Sequence, residues 1–149
     1  MSSFHALDIS ASGLNAGRAR MDVIAQNIAN AESVTDGGTP YQRQEVVLVS
    51  QSWHAAPPFG PVGPAGGTSA ERASGGVRLL GVRTDQSPAQ LVYRPEDPAA
   101  DPAGYVHLPN VNLPMEMVDM VAATRAYEAN AAAFKAGRDT VKRTLDIMR

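Results

Sequence analysis

The chain contains no cysteine, which removes disulfides, thiolate nucleophiles and cysteine-held zinc while leaving its compartment open. Aromatic residues are scarce at 5%, and the 44% hydrophobic content leans on alanine and valine, so any core is thin. Surplus charge of one sign is also missing. Thirteen Lys and Arg against fifteen Asp and Glu leave a net charge of −2, so no overall field draws the chain to nucleic acid or to anionic lipid. No long apolar run exists: Val46 to Val49 falls far short of the roughly 20 residues of a membrane-spanning helix, so no membrane insertion is expected. The opening MSSFHALDIS lacks a basic flank, an apolar h-region and an evident cleavage site, and does not read as a Sec signal. At 149 residues the chain holds one ordinary core, or a small core with extended elements, and excludes a multidomain enzyme.

What is present is periodicity. Leu7, Leu14, Met21 and Ile28 recur every seven residues, which predicts a helix over 4–31 with one packing seam. A second series, Ile9, Ala16, Val23 and Asn30, repeats on roughly the opposite side and points to a second packing partner. Residues 114–148 carry a stronger ladder, Met120, Tyr127, Phe134, Val141 and Met148, supported by Met117 and Leu145. Asn112 is placed to cap this helix, Pro114 suits its first turn, and Glu116 and Asp119 favour the positive end of the helix dipole. Lys135, Arg138, Lys142, Arg143 and Arg149 gather at its other end. Opposite the ladder lie Val118, Ala122, Ala129, Ala133, Ala136 and Ile147, a small-residue face open to another backbone. Helices of about 40 and 50 Å, with one large side chain per two turns, barely offset their ordering entropy as an isolated pair. Further burial is expected from neighbouring copies or related proteins.

Between the helices, 34–41 is a turn cluster and 55–76 a Pro/Gly/Ala/Ser-rich loop. Strands are predicted at 43–50, 77–84, 90–94 and 104–108, with Asp85 to Pro88 turning a hairpin and Asp97 to Gly104 turning again. The fold class is α+β: long terminal helices paired as a coiled coil, with a small inserted β subdomain. The domain boundaries follow as 1–33 with 110–149, and 34–109.

Chemistry-bearing patterns are sparse. His5, His54 and His107 fall in separate segments without metal-ligand spacing, and Asp97 and Asp101 read as turn formers rather than a cation loop. Ser50, Ser52 and His54 lack a nucleophile elbow, and the Gly pairs match no phosphate-binding loop. No catalytic residue, metal or cofactor is expected. The methionines on the helix seams read as packing groups. Trp53 reads as a lid on the β subdomain.

Two segments then carry a likeness. The stretch ALDISASGLNAGRARMDVIAQNIANAESVTDGGTPYQRQEVV resembles the start of the bacterial flagellar axial proteins, through Asn27, Ile28, Ala29, Asn30 and the Tyr41-Gln42-Arg43 segment. The C-terminal PNVNLPMEMVDMVAATRAYEANAAAFKA is similar to that family's matching helix, through Asn110, Asn112, Glu116, Arg125, Tyr127, Glu128 and Asn130. With the short middle, the chain looks like the proximal-rod branch. The resemblance implies a structural, non-enzymatic subunit that stacks helically with other rod proteins, the rotor (MS) ring adaptor and copies of itself. It also implies a role in transmitting torque, enclosing the export channel, and delivery by the flagellar type III apparatus. Other readings stay open: another axial component, or a small ligand-binding β domain with helical tails. Gly137 departs from the family pattern and puts the local continuity of the second helix in doubt.

Overall fold

The computed structural model describes residues 3–34, 39–51 and 75–147. Positions 35–38 of the turn cluster, the Pro/Gly-rich stretch as far as Ser74 with Trp53 and His54, and Met148 lie outside the described residues. The elements run α1 (Ser3–Ala29), β1 (Gln44–Ser50), β2 (Val77–Thr84), β3 (Gln90–Tyr93), β4 (Tyr105–Leu108) and α2 (Leu113–Ile147). This is the α+β arrangement of two long terminal helices around a small β insert.

The helices pair antiparallel. A Cβ on Gly137 would stand 3.0 Å from the Leu7 side chain and one on Gly17 would stand 3.5 Å from the Tyr127 ring. Thr124 reaches the sulfur of Met21 at 3.7 Å, and Asn27 meets Glu116. Positions rising along α1 thus meet positions falling along α2. Leu14, Ile28, Met120, Phe134 and Val141 are half-buried on this seam's helices. Met117 and Leu145 differ from the ladder they were grouped with: both stand exposed. Each sits about 100° or more off the line of the nearest buried α2 residue or beyond the last overlap with α1. The helix continues unbroken through Gly137, where the missing side chain makes room for Leu7.

The second stripe of α1 is covered in part from within the chain. Ala16 and Val23 are buried, and the Val77 amide donates to Ser12 Oγ at 3.1 Å. Gly76, with φ at +86°, lies so close to Ser12 Oγ that no side chain fits there. The strands form two antiparallel ribbons, β1 with β2 and β3 with β4. In the first, register shifts between Val47 and Leu48, so Leu80 is left without an opposite residue.

The hairpin predicted at Asp85 to Pro88 is not one. It links the two ribbons, since β2 and β3 do not pair. The reason is local. The Asp85 amide donates to Arg43 O at 2.8 Å, and Asn110 Nδ2 donates to the carbonyls of Asp85 and Ser87. These bonds draw the segment towards the base of α2 before it can fold back. The loop from Asp97 to Gly104 does close a hairpin, tied by the Arg94 amide to Gly104 O at 2.9 Å.

The buried residues concentrate at one end of the helix pair. Val23, Ile24, Asn27, Ala31, Val106, Val111 and Glu116 lie there, with Ala16 and Ala123 further along. Among described side chains, none of residues 6–15 or 124–147 is buried.

Candidate functional site

The end that holds the core also holds a polar junction. Asn27, on the last turn of α1, is 0% exposed and uses its amide fully. Its Oδ1 accepts from the Tyr41 hydroxyl and from the Gln44 amide, both at 2.9 Å. Its Nδ2 donates to Gln44 O at 2.9 Å and to Glu116 Oε2 at 3.0 Å. The paired bonds to the Gln44 backbone mimic a strand neighbour, so α1 splints the start of β1.

Glu116 is 1% exposed, a carboxylate buried in the first turn of α2. It stands in the first turn of α2, where the sequence placed it to meet the helix dipole, and it also pairs with Arg43, whose Nε donates to Oε1 at 2.7 Å. Arg43 also approaches Asp119 at 3.8 Å. Burial opposes the charge on Arg43, but the hydrogen bond and charge of Glu116, with Glu45 and Asp119, outweigh it and raise its pKa. The Tyr41 hydroxyl is pushed up by burial and, secondly, by the negative charge of Glu116. A buried charge is tolerated only with such pairing and satisfied bonds. Among the described residues no buried side-chain nitrogen or oxygen lacks a partner.

Asn110 completes the junction. Its Oδ1 accepts from the Arg43 amide at 2.7 Å while its Nδ2 gathers the link between the ribbons. Asn112 caps α2, accepting the Met115 amide at 3.1 Å, as its type and place predict. Asn30 closes the other helix. Its amide and its Nδ2 both donate to Gln26 O, at 3.1 and 2.8 Å.

The motif residues therefore divide in two. Asn27, Tyr41, Arg43, Asn110 and Glu116 come together, and Asn112 caps beside them. Ile28 and Tyr127 lie half-buried, the latter over Gly17, and Ala29, Arg125 and Glu128 are exposed. Asn130 bonds Ala126 O in its own helix and packs across Gly13, where a Cβ would stand 2.8 Å from its Oδ1. Sequence reasoning missed the Arg43 to Glu116 ion pair and the roles of Gln44 and Asp119. The one signal for it was that both charged residues belong to the same set of motif positions.

A cleft of about 250 Å³ opens beside the junction, lined by Arg20, Val23, Arg43, Glu45, Glu116 and Asp119 among others. Its charges are largely consumed: Arg43 by Glu116, Glu45 by Arg83 at 2.7 Å. Among the described residues no group of three or more His, Asp or Glu converges to hold a metal ion. The arrangement is built to lock three chain segments together.

Comparison with known proteins gives the family. The Flagella basal body rod protein family matches residues 7–37, and the Flagellar basal body rod FlgEFG protein C-terminal family matches residues 103–147. Flagellar basal-body rod protein FlgC of Bacillus subtilis is 39% identical, with 99% of each chain covered. The chain belongs to the FlgC family. FlgC of Aquifex aeolicus is 40% identical over 98% of this chain and 97% of its own, and FlgC of Salmonella typhimurium 36% over 99% and 98%. Asn27 of the junction lies in the first matched segment, and Asn110 and Glu116 in the second. As a member of the FlgC family the chain is a structural subunit of the basal-body rod.

Proposed function

We propose that this chain sits in the proximal rod as a non-catalytic subunit, assembling helically with other rod proteins, the rotor-ring adaptor and further copies of itself. The helical unit, residues 1–33 with 110–149, forms the rod wall around the export channel and carries torque. Residues 34–109 sit outside it and set angular position. Delivery is through the flagellar type III apparatus. The residues that pack the helices and meet neighbours are Leu7, Leu14, Met21, Ile28, Met117, Met120, Tyr127, Phe134, Val141, Leu145 and Met148.

The observation that carries this reading is the uneven burial of the helix pair. One end is locked by the junction, while the far end buries no described side chain, and α2 leaves Met117, Val118 and Val121 exposed near the junction and Leu145 and Ile147 exposed at the far end. Such a pair gains its remaining burial from neighbours. The junction supports torque transfer, because a buried ion pair and a fully bonded Asn hold the β insert rigidly to both helices.

The test is a clean deletion strain and its complemented control, read by electron microscopy of basal bodies and by swimming. Loss of rod, hook and filament, restored by complementation, is expected. Normal flagella in the deletion strain, with no second copy of the gene, would remove the assignment.

A further inference from the structure

The first ribbon is tied to α1 at two points. Gln44, the first residue of β1, makes both of its backbone hydrogen bonds to the Asn27 side chain, each at 2.9 Å. Val77, the first residue of β2, donates its amide to Ser12 Oγ at 3.1 Å. The Ser12 hydroxyl donates in turn to Ile9 O at 2.7 Å, which leaves its lone pairs for the strand.

The two ties lie at opposite corners. In an antiparallel ladder the backbone groups point towards the partner strand at every second residue. The Asp85 amide donates to Arg43 O, so the next residue, Gln44, turns its amide and carbonyl away from β2. The Gln51 amide donates to Gly76 O, so Val77 turns its amide away from β1. Asn27 therefore holds the outer edge of β1 and Ser12 the outer edge of β2, and α1 crosses the ribbon diagonally. The spans agree. Asn27 lies fifteen residues beyond Ser12, about 22 Å of helix, and the strand from Gln44 to Ser50, which stands opposite Val77, is about 20 Å long.

Between the corners the contact is open. Clefts of about 250 and 310 Å³ are walled by both α1 and β1, and Leu48, midway along β1, borders each of them while staying 37% exposed. Packing along the crossing is thus incomplete, and the angle of the ribbon is left to its ties. Gly76 supplies a stop, because its backbone rests where any Cβ would overlap Ser12 Oγ.

We propose that Ser12 and Asn27 form a two-corner brace that fixes the direction of the β1–β2 ribbon on α1, with Ser12 the positioning residue at the corner away from the junction. With both ties made, the ribbon neither swivels nor slides. Held by Asn27 alone, it keeps a pivot at Gln44 and swings; over a lever of about 20 Å, a turn of about 10° carries the far end about 3.5 Å. Where the insert sets angular position, Ser12 fixes that angle, a consequence that rests on the rod-subunit reading above; the brace itself does not.

The chain has no cysteine, so two introduced ones place spin labels without ambiguity. Lys135 on α2, Arg78 beside Val77 and Thr84 opposite Gln44 are all exposed. Double electron-electron resonance on the full chain reads two distances, Lys135→Cys with Arg78→Cys and Lys135→Cys with Thr84→Cys. Adding Ser12→Ala is expected to broaden the first distance by about 3 Å or more and to leave the second unchanged. Gly76→Ala, which drives the corner off Ser12, is expected to shift the first distance by a similar amount and not the second. A first distance that either change leaves unmoved overturns the brace, because packing alone then holds the ribbon. Movement of both distances overturns the pivot at Gln44. Neither result bears on the rod reading, which the deletion strain judges separately.

Discussion

Replacing Glu116 by Gln keeps the outline of the side chain and removes one of two acceptor oxygens from a buried position. Both groups that meet the carboxylate are donors, Asn27 Nδ2 at 3.0 Å and Arg43 Nε at 2.7 Å. Either orientation of the new amide therefore points its NH₂ at another N–H. Asn27 cannot turn over to relieve the clash, because its Oδ1 already accepts from Tyr41 and Gln44 and its Nδ2 also serves Gln44 O. Breaking one side of a buried pair costs about 3–5 kcal/mol, and the lower end applies here because Arg43 has solvent and Asp119 to turn to. With a urea slope of about 2 kcal/mol per M, a loss of about 3 kcal/mol lowers the unfolding midpoint of the full chain by about 1.5 M. Far-UV circular dichroism reads it. Arg43→Met is also destabilising, and the double variant loses at least about 1 kcal/mol less than the two singles together, because the second change removes a partner already lost. A midpoint shift below about 0.3 M, with an additive double variant, would refute the account of the junction.

Three further outcomes follow from other parts of the molecule. In an Asn130→Ala background, Gly13→Ala gains about 1 kcal/mol of helix propensity; in the parent chain the new Cβ meets Asn130 at 2.8 Å and the gain disappears, a difference visible in thermal melts. The raised pKa of Tyr41 means the folded chain holds that proton more tightly than the unfolded chain, whose tyrosine titrates near its ordinary value of 10.0. Its contribution to stability is whole below that value and is lost as pH rises through the folded pKa, so ultraviolet titration of the parent against Tyr41→Phe resolves one late-ionising phenol, and stability of the variant falls less steeply at alkaline pH. In dilute monomer, amides of residues 6–15 and 130–147 exchange hydrogen faster than those of 21–29 and 113–123; equal protection at both ends would contradict the uneven burial of the pair.

The helices and all four strands are legible in the sequence because each rests on a local period, a local cap or a run of strand-forming residues. Leu7, Leu14, Met21 and Ile28 mark one face, and Asn112 marks where α2 starts. The ribbon pairing is not legible from local signals. Asp85 to Pro88 has the composition of a hairpin turn, and only a side chain more than twenty positions away, Asn110, redirects it. Glu116 shows the same limit. An acid in a first turn is usually solvated, and its burial depends on Arg43 arriving from another segment. The second stripe of α1 was readable as a contact surface, but its occupant was not: a period reports that a face is covered, not by what.

The junction also sets a timetable for folding. Asn27 and Glu116 are 89 positions apart, and Arg43 and Glu116 are 73 apart, so the lock requires long loops to close and cannot nucleate locally. Helix α1 and the first ribbon can form from the leading part of the chain, but without residue 116 they remain unlatched. Until residue 116 joins them, those leading elements lack the buried ion pair that ties them to the base of α2.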